Sequence, residues 1–103
     1  MITVSWSEPE TTKSDTPGST PSHYIVEYRV DEGRSWNQLV CGKEVVGLQL
    51  EFSPIKESMS AGKSYTFRVT AVNKAGAGEP SKPSNSIELG MSNLLFHGYT
   101  NFN

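Results

Sequence analysis

Apolar and polar residues alternate strictly along Tyr65–Ala71, within the strand predicted over Tyr65–Asn73. Tyr65, Phe67, Val69 and Ala71 fall on one face, and Thr66, Arg68 and Thr70 on the other. A period of two over this length predicts a strand with one buried side. The same alternation marks Ile2–Trp6 through Ile2, Val4 and Trp6, and His23–Val30 through Tyr24, Val26, Tyr28 and Val30. Val45–Phe52 alternates at Val46, Leu48, Leu50 and Phe52, and Pro54 ends it because proline cannot donate to a ladder. Shorter strands are predicted at Trp36–Val40 and at Ser84–Leu89, the latter with Ile87 and Leu89 inward.

Between these runs lies turn and loop chemistry. Glu8–Ser22 is rich in Ser, Thr and Pro, Asp31–Ser35 reads D-E-G-R-S, and Ile55–Ser64 is a connection holding Met59 and Gly62. No segment carries an apolar stripe at i, i+3 and i+4. Six short strands separated by Gly, Pro and Ser turns predict an all-β sandwich.

Several of these stretches, in their order, resemble the fibronectin type III domain. They are I-T-V-S-W-S-E-P around Trp6, Y-I-V-E-Y-R from Tyr24, G-R-S-W ending at Trp36, and Y-T-F-R-V-T-A-V-N-K-A-G-A-G-E-P-S from Tyr65. The resemblance covers Ile2 to about Leu89. It implies a Greek-key, immunoglobulin-like sandwich in which Ile2–Trp6 is strand B, His23–Val30 C, Trp36–Val40 C′, Val45–Phe52 E, Tyr65–Asn73 F and Ser84–Leu89 G. Trp6 matches the family's core tryptophan. Tyr65 matches the tyrosine of the E–F corner, whose hydroxyl bonds back to upstream backbone. The expected core is Trp6, Tyr24, Val26, Tyr28, Leu48, Leu50, Tyr65, Phe67, Val69 and Ala71. The family usually places a leucine six residues before the corner tyrosine; here that position is Met59, and Ile55 is the alternative filler.

The resemblance also implies a strand A before strand B, for which residues 1–5 leave no room. The expected domain is therefore residues 1–90 without its first strand, followed by a tail, 91–103, that is disordered or folded back on the sheet edge. Leu94, Leu95, Phe96, Tyr99 and Phe102 make that tail apolar and aromatic. Three readings stand side by side: a truncated gene product, a fold-back of Asn93–Phe96 onto the exposed edge, and a strand donated by a partner chain.

Composition narrows the function classes. The 103 residues suit one small domain. Nine Lys and Arg against eleven Asp and Glu give a formal charge of -2 without a basic cluster, which argues against nucleic acid. No apolar run approaches the ~20 residues of a membrane span, and the first residues lack the pattern of a secretory signal. Cys41 is the single cysteine, so neither an intramolecular disulfide nor a cysteine zinc cluster can form.

Candidate chemistry is thin. Ala61–Ser64 reads A-G-K-S, but the glycine of a phosphate loop belongs at position 57, where Glu57 stands, and no strand-to-helix context surrounds it. His23 and His97 are the two histidines and read as surface residues. Cys41 reads as an inert thiol. No catalytic residue, cofactor site, metal site or small-molecule substrate is expected.

The outward face of strands C, C′ and F is more informative. Glu27, Arg29, Trp36, Arg68 and Thr70 share it by the family's strand order, with a Glu27–Arg68 cross-strand pair and a cation–π contact to Trp36 expected. Aromatic and arginine side chains are enriched at interface hot spots. By resemblance, the chain is a non-catalytic interaction or spacer module of the kind strung in tandem in adhesion receptors, receptor phosphatases and giant muscle proteins, its protein partner unspecified. Alternatives are a gene fragment or an accessory module of a multi-domain enzyme. Asn73–Glu79 contains no Arg-Gly-Asp, and the chain has no W-S-x-W-S box.

Overall fold

The computed structural model describes residues 1–7, 21–90 and 98–101. Strands are β1 (Ile2–Ser5), β2 (His23–Val30), β3 (Asn37–Gln38), β4 (Gln49–Phe52), β5 (Ser64–Asn73), β6 (Gly76–Ala77), β7 (Ile87–Glu88) and β8 (Gly98–Asn101). The described residues contain no helix. One sheet runs β4-β1-β8 and the other β3-β2-β5-β6, with β7 also on β5. The architecture is the all-β sandwich of fibronectin type III and immunoglobulin-like domains.

Rings meet across the gap between the sheets. Trp6, just beyond β1, lies 5.4 Å from Tyr24 of β2, and Phe52 of β4 lies 5.9 Å from Phe67 of β5, centroid to centroid. Both pairs are tilted, a favoured geometry for aromatic quadrupoles. Around them Ile2, Val4, Val26, Leu39, Val45, Met59, Tyr65, Val69 and Leu89 are buried, and Tyr28, Leu50 and Ala71 pack against them half-buried. Met59, not Ile55, fills the corner: Met59 is 7% exposed and Ile55 62%. The Tyr65 hydroxyl accepts the Ser60 N–H at 2.7 Å and closes that corner.

Leu48 corrects one core expectation, being 40% exposed. Gly47 sits at φ +104°, a left-handed conformation that interrupts the alternation, so β4 begins only at Gln49. The Leu48 carbonyl still accepts the Trp6 N–H at 2.9 Å. That bond lies one rung beyond the last register pair, Ser5↔Gln49, at the open end of the sandwich. Val46 is 82% exposed for the same reason, and Val45 is buried instead, bridging to Tyr24.

The segment expected as a strand over Ser84–Leu89 is regular only at Ile87–Glu88. Pro80 and Pro83 have no N–H to give, and serine side chains fill in. Ser81 and Ser84 donate their N–H groups to the Val69 and Phe67 carbonyls, while their hydroxyls accept the Val69 and Phe67 N–H groups at 2.9 and 3.0 Å. Trp36–Val40 likewise contracts to β3, where Asn37 and Gln38 pair with Tyr28 and Glu27; beyond it Leu39 donates its N–H to the Val26 carbonyl and the chain turns away.

β8 lies along the side of β1 away from β4 and runs parallel to it, pairing Ile2↔Gly98 through Ser5↔Asn101. Its direction follows from where the chain leaves β7. Leu89 is hydrogen-bonded to Gly62 and Lys63 at the start of β5, the same end as Phe52 and its partner Ile2. Chain laid on β1 from that end runs the way β1 runs. Asn93–Phe96, the segment that one of the three readings folds back onto the edge, lies outside the described residues, as do His97 and most of the Glu8–Ser22 loop.

Trp6→Ala removes the larger ring of one inter-sheet pair. The expected loss is about 3–5 kcal/mol in chemical denaturation, a large share of the roughly 5–15 kcal/mol typical of a domain. A loss below about 1 kcal/mol would place Trp6 outside the core.

Candidate functional site

The antiparallel ladder of β2 on β5 runs without interruption from His23↔Val72 to Val30↔Tyr65 and sets Glu27 directly opposite Arg68. Because the opposite faces of both strands are committed to the core, this register turns Glu27, Arg29 and Arg68 outward together. β3 places Gln38 beside Glu27 on the other flank, with Trp36 immediately before it.

Arg68 donates from Nε to Glu27 Oε1 at 2.9 Å, with the two side chains 25% and 22% exposed. Its guanidinium carbon sits 4.4 Å from the centre of the Trp36 ring, and that of Arg29 sits 5.1 Å from it. Two cations therefore share one indole, each within cation–π reach. Glu27 fixes one of the two arginines, so the cluster is organised before anything binds. Arg29 Nε is buried and has no hydrogen-bond partner among the described residues.

Thr70 was expected on this face and is not available there, being 6% exposed. It is a short side chain on a central strand, opposite Ile25 of β2 and flanked on the other side by the segment bonded to Val69 and Ala71. Longer neighbours cover it. Thr66 is buried likewise, its hydroxyl 3.0 Å from that of Ser86.

A second polar cluster had no sequence signal. Glu57 is 7% exposed, and its carboxylate accepts the N–H groups of Val40 at 2.7 Å and Cys41 at 3.3 Å. It ties the β4–β5 connection to the turn after β3. That turn is itself pressed onto β2: a Cβ on Gly42 would come 2.8 Å from the Val26 carbonyl oxygen, so only glycine fits. The Cys41 thiol is pushed up to about 11 by local desolvation, by its hydrogen bond to Glu57 and by that carboxylate's charge. Burial, then Glu57 and Tyr65, also raise the Tyr28 phenol. An isolated glutamate in a loop gives no pattern from which this bridge could be read.

The remaining sequence candidates are dispersed. His23 is half-buried, with Nδ1 3.1 Å from the Ser22 hydroxyl. Ala61–Ser64 leads into β5, not into the helix a phosphate loop requires. Among the described residues no group of three His, Cys, Asp or Glu could hold a metal ion, and no helix is long and apolar enough to cross a membrane.

Comparison with known proteins identifies the family. The family model of the fibronectin type III domain matches residues 1–87, and the chain belongs to that family. It is 31% identical to human protein sidekick-1 over 84% of its length, and 35% identical to chicken protein sidekick-2 over 92%, in each case spanning 4% of the relative. Contactin rig-6 of Caenorhabditis elegans is 31% identical over 85% of the chain, which spans 7% of that protein. Among solved structures, the twitchin kinase region from C. elegans superposes with a TM-score of 0.54 at 28% identity, covering 72% of this chain and 12% of that one. The chain thus corresponds to a small fraction of each of these proteins.

The Glu57 bridge has a chemical readout. Cys41 alkylation by iodoacetamide should be slow at neutral pH and rise toward pH 11, because the thiolate is the reacting form. Glu57→Gln removes the charge and should move that rise to lower pH. An alkylation profile identical in the two proteins would show that the carboxylate does not act on the thiol.

Proposed function

We propose that the chain is a non-catalytic protein-interaction module of a longer, adhesion-type polypeptide, and that its binding face is the sheet surface carrying Glu27, Arg29, Trp36 and Arg68. Family membership supports an interaction role, and the sidekick and contactin likenesses support the adhesion setting. The twitchin likeness speaks for the fold alone, since this chain covers 12% of that kinase-containing one.

The observation that carries the choice of face is the pair of arginines on Trp36, one of them pinned by Glu27. Tryptophan and arginine are the residues most often found to dominate interface energy. Holding them in place beforehand lowers the ordering cost of association. The exposed large apolar side chains Val40, Val46, Leu48 and Ile55 lie outside the strands.

Trp36→Ala and Arg68→Ala separate an interface from packing. Loss of the Trp36 ring removes two cation–π contacts of about 0.5–1 kcal/mol each, so both variants should still unfold cooperatively. Binding of cell-surface proteins to the immobilised chain should fall in both and persist in Lys56→Ala, a change at an exposed position in the β4–β5 connection. Undiminished binding by Trp36→Ala and Arg68→Ala would remove this face from consideration. Loss of cooperative unfolding would make the cluster a packing element.

A further inference from the structure

We infer that the Trp36 face recognises an acidic segment of a protein partner, and that Arg29 is the residue that takes its carboxylate. The inference rests on the interaction role proposed for that face and adds the chemistry of the occupant.

The two arginines differ in what they still need. Arg68 gives its Nε–H to Glu27, and its charge is met there. Arg29 has no carboxylate partner among the described residues and no acceptor for Nε, although that nitrogen is buried. Two acids, Glu27 and Asp31, stand to either side of it along the chain. Both are committed elsewhere, Glu27 to Arg68 and Asp31 to the Ser64 N–H at 2.9 Å. Opposite Arg29 in the ladder is Thr66, whose hydroxyl lies 3.0 Å from that of Ser86. Trp36, 5.1 Å away, attracts the charge through its ring but offers no oxygen.

A charged donor left without an acceptor away from water is costly, more so than a neutral one. A group that arrives with an acceptor removes that cost on binding. Arg29 is held by the ring and by no hydrogen bond at Nε, so it can turn its fork toward an arriving carboxylate. Guanidinium and carboxylate match through two parallel N–H bonds.

The charge of the cluster selects the class of partner. Two guanidiniums and one carboxylate leave one positive charge uncompensated, in a chain whose formal charge is -2. One open cation suits one carboxylate. A sulfated glycan or a nucleic acid spreads its charge over many sites and calls for a basic cluster, which this chain lacks. The half-buried Trp36 ring beside Arg29 adds an apolar contact. The fitting segment therefore carries Asp or Glu next to an apolar or aromatic residue.

The test selects peptides from a random phage-displayed library on the immobilised chain, with counter-selection on Trp36→Ala. Asp and Glu should be enriched among the peptides retained. In a double-mutant cycle on the tightest of them, replacing its acid by the amide and Arg29→Gln should each weaken binding about tenfold, and together little more. Arg29→Lys keeps the charge without the fork and should show part of that loss. Retained peptides without acids, or an affinity indifferent to Arg29→Gln, would leave the face standing and overturn its acidic preference. Binding of a heparin oligosaccharide in place of acidic peptides would overturn it too. Loss of cooperative unfolding in Arg29→Gln would make the guanidinium a packing element and end the inference. Absence of any peptide that depends on Trp36 would remove the face itself, and this inference with it.

Discussion

The register between β2 and β5 is the constraint on which the rest depends. Eight consecutive pairs fix it, and both ends are locked. Beyond one end the Ser22 N–H and hydroxyl both donate to the Val72 carbonyl. Beyond the other, Asp31 donates its N–H to the Ser64 carbonyl and accepts the Ser64 N–H on its side chain at 2.9 Å. A slip of one residue would turn the core side chains of one strand outward, Tyr24 and Val26 or Phe67 and Val69, and put Glu27 or Arg68 into the core in their place. The core face and the candidate binding face are thus two consequences of one alignment. The aromatic pairs Trp6–Tyr24 and Phe52–Phe67 then hold the smaller sheet against it.

This division explains what was legible in the sequence. β2 and β5 could be read almost to the residue because each has an apolar residue at every second position over most of its length and each is long enough for the pattern to outweigh local propensity. Once they pair, the Glu27–Arg68 contact and the approach of Trp36 follow from strand order alone. Thr70 was on the right face by the same reasoning, but alternation reports direction, not depth, and a short side chain in mid-sheet is covered by its neighbours.

Other elements were shortened by features whose effect is tertiary. Gly47 sits inside what reads as continuous alternation, and its left-handed backbone resets the phase before β4. Pro80 and Pro83 stop regular pairing, yet Ser81 and Ser84 keep that segment bonded to β5 through their side chains, a substitution no periodicity can show. Glu57 lies furthest from prediction. Its role exists only because the β4–β5 connection and the turn after β3 come together in space.

Trp36 and the two arginines form an ordered, half-buried cluster on the outward face of the sheet, set by the β2–β5 register. Side-chain proton chemical shifts in solution test it most directly. With the Arg68 guanidinium 4.4 Å and the Arg29 guanidinium 5.1 Å from the indole centre, the terminal methylene protons of both arginines should be shifted upfield by the ring current. Those shifts should return to ordinary values in Trp36→Leu, with the core resonances unmoved. Arginine shifts at ordinary values in the parent protein, or core resonances displaced throughout by Trp36→Leu, would contradict it.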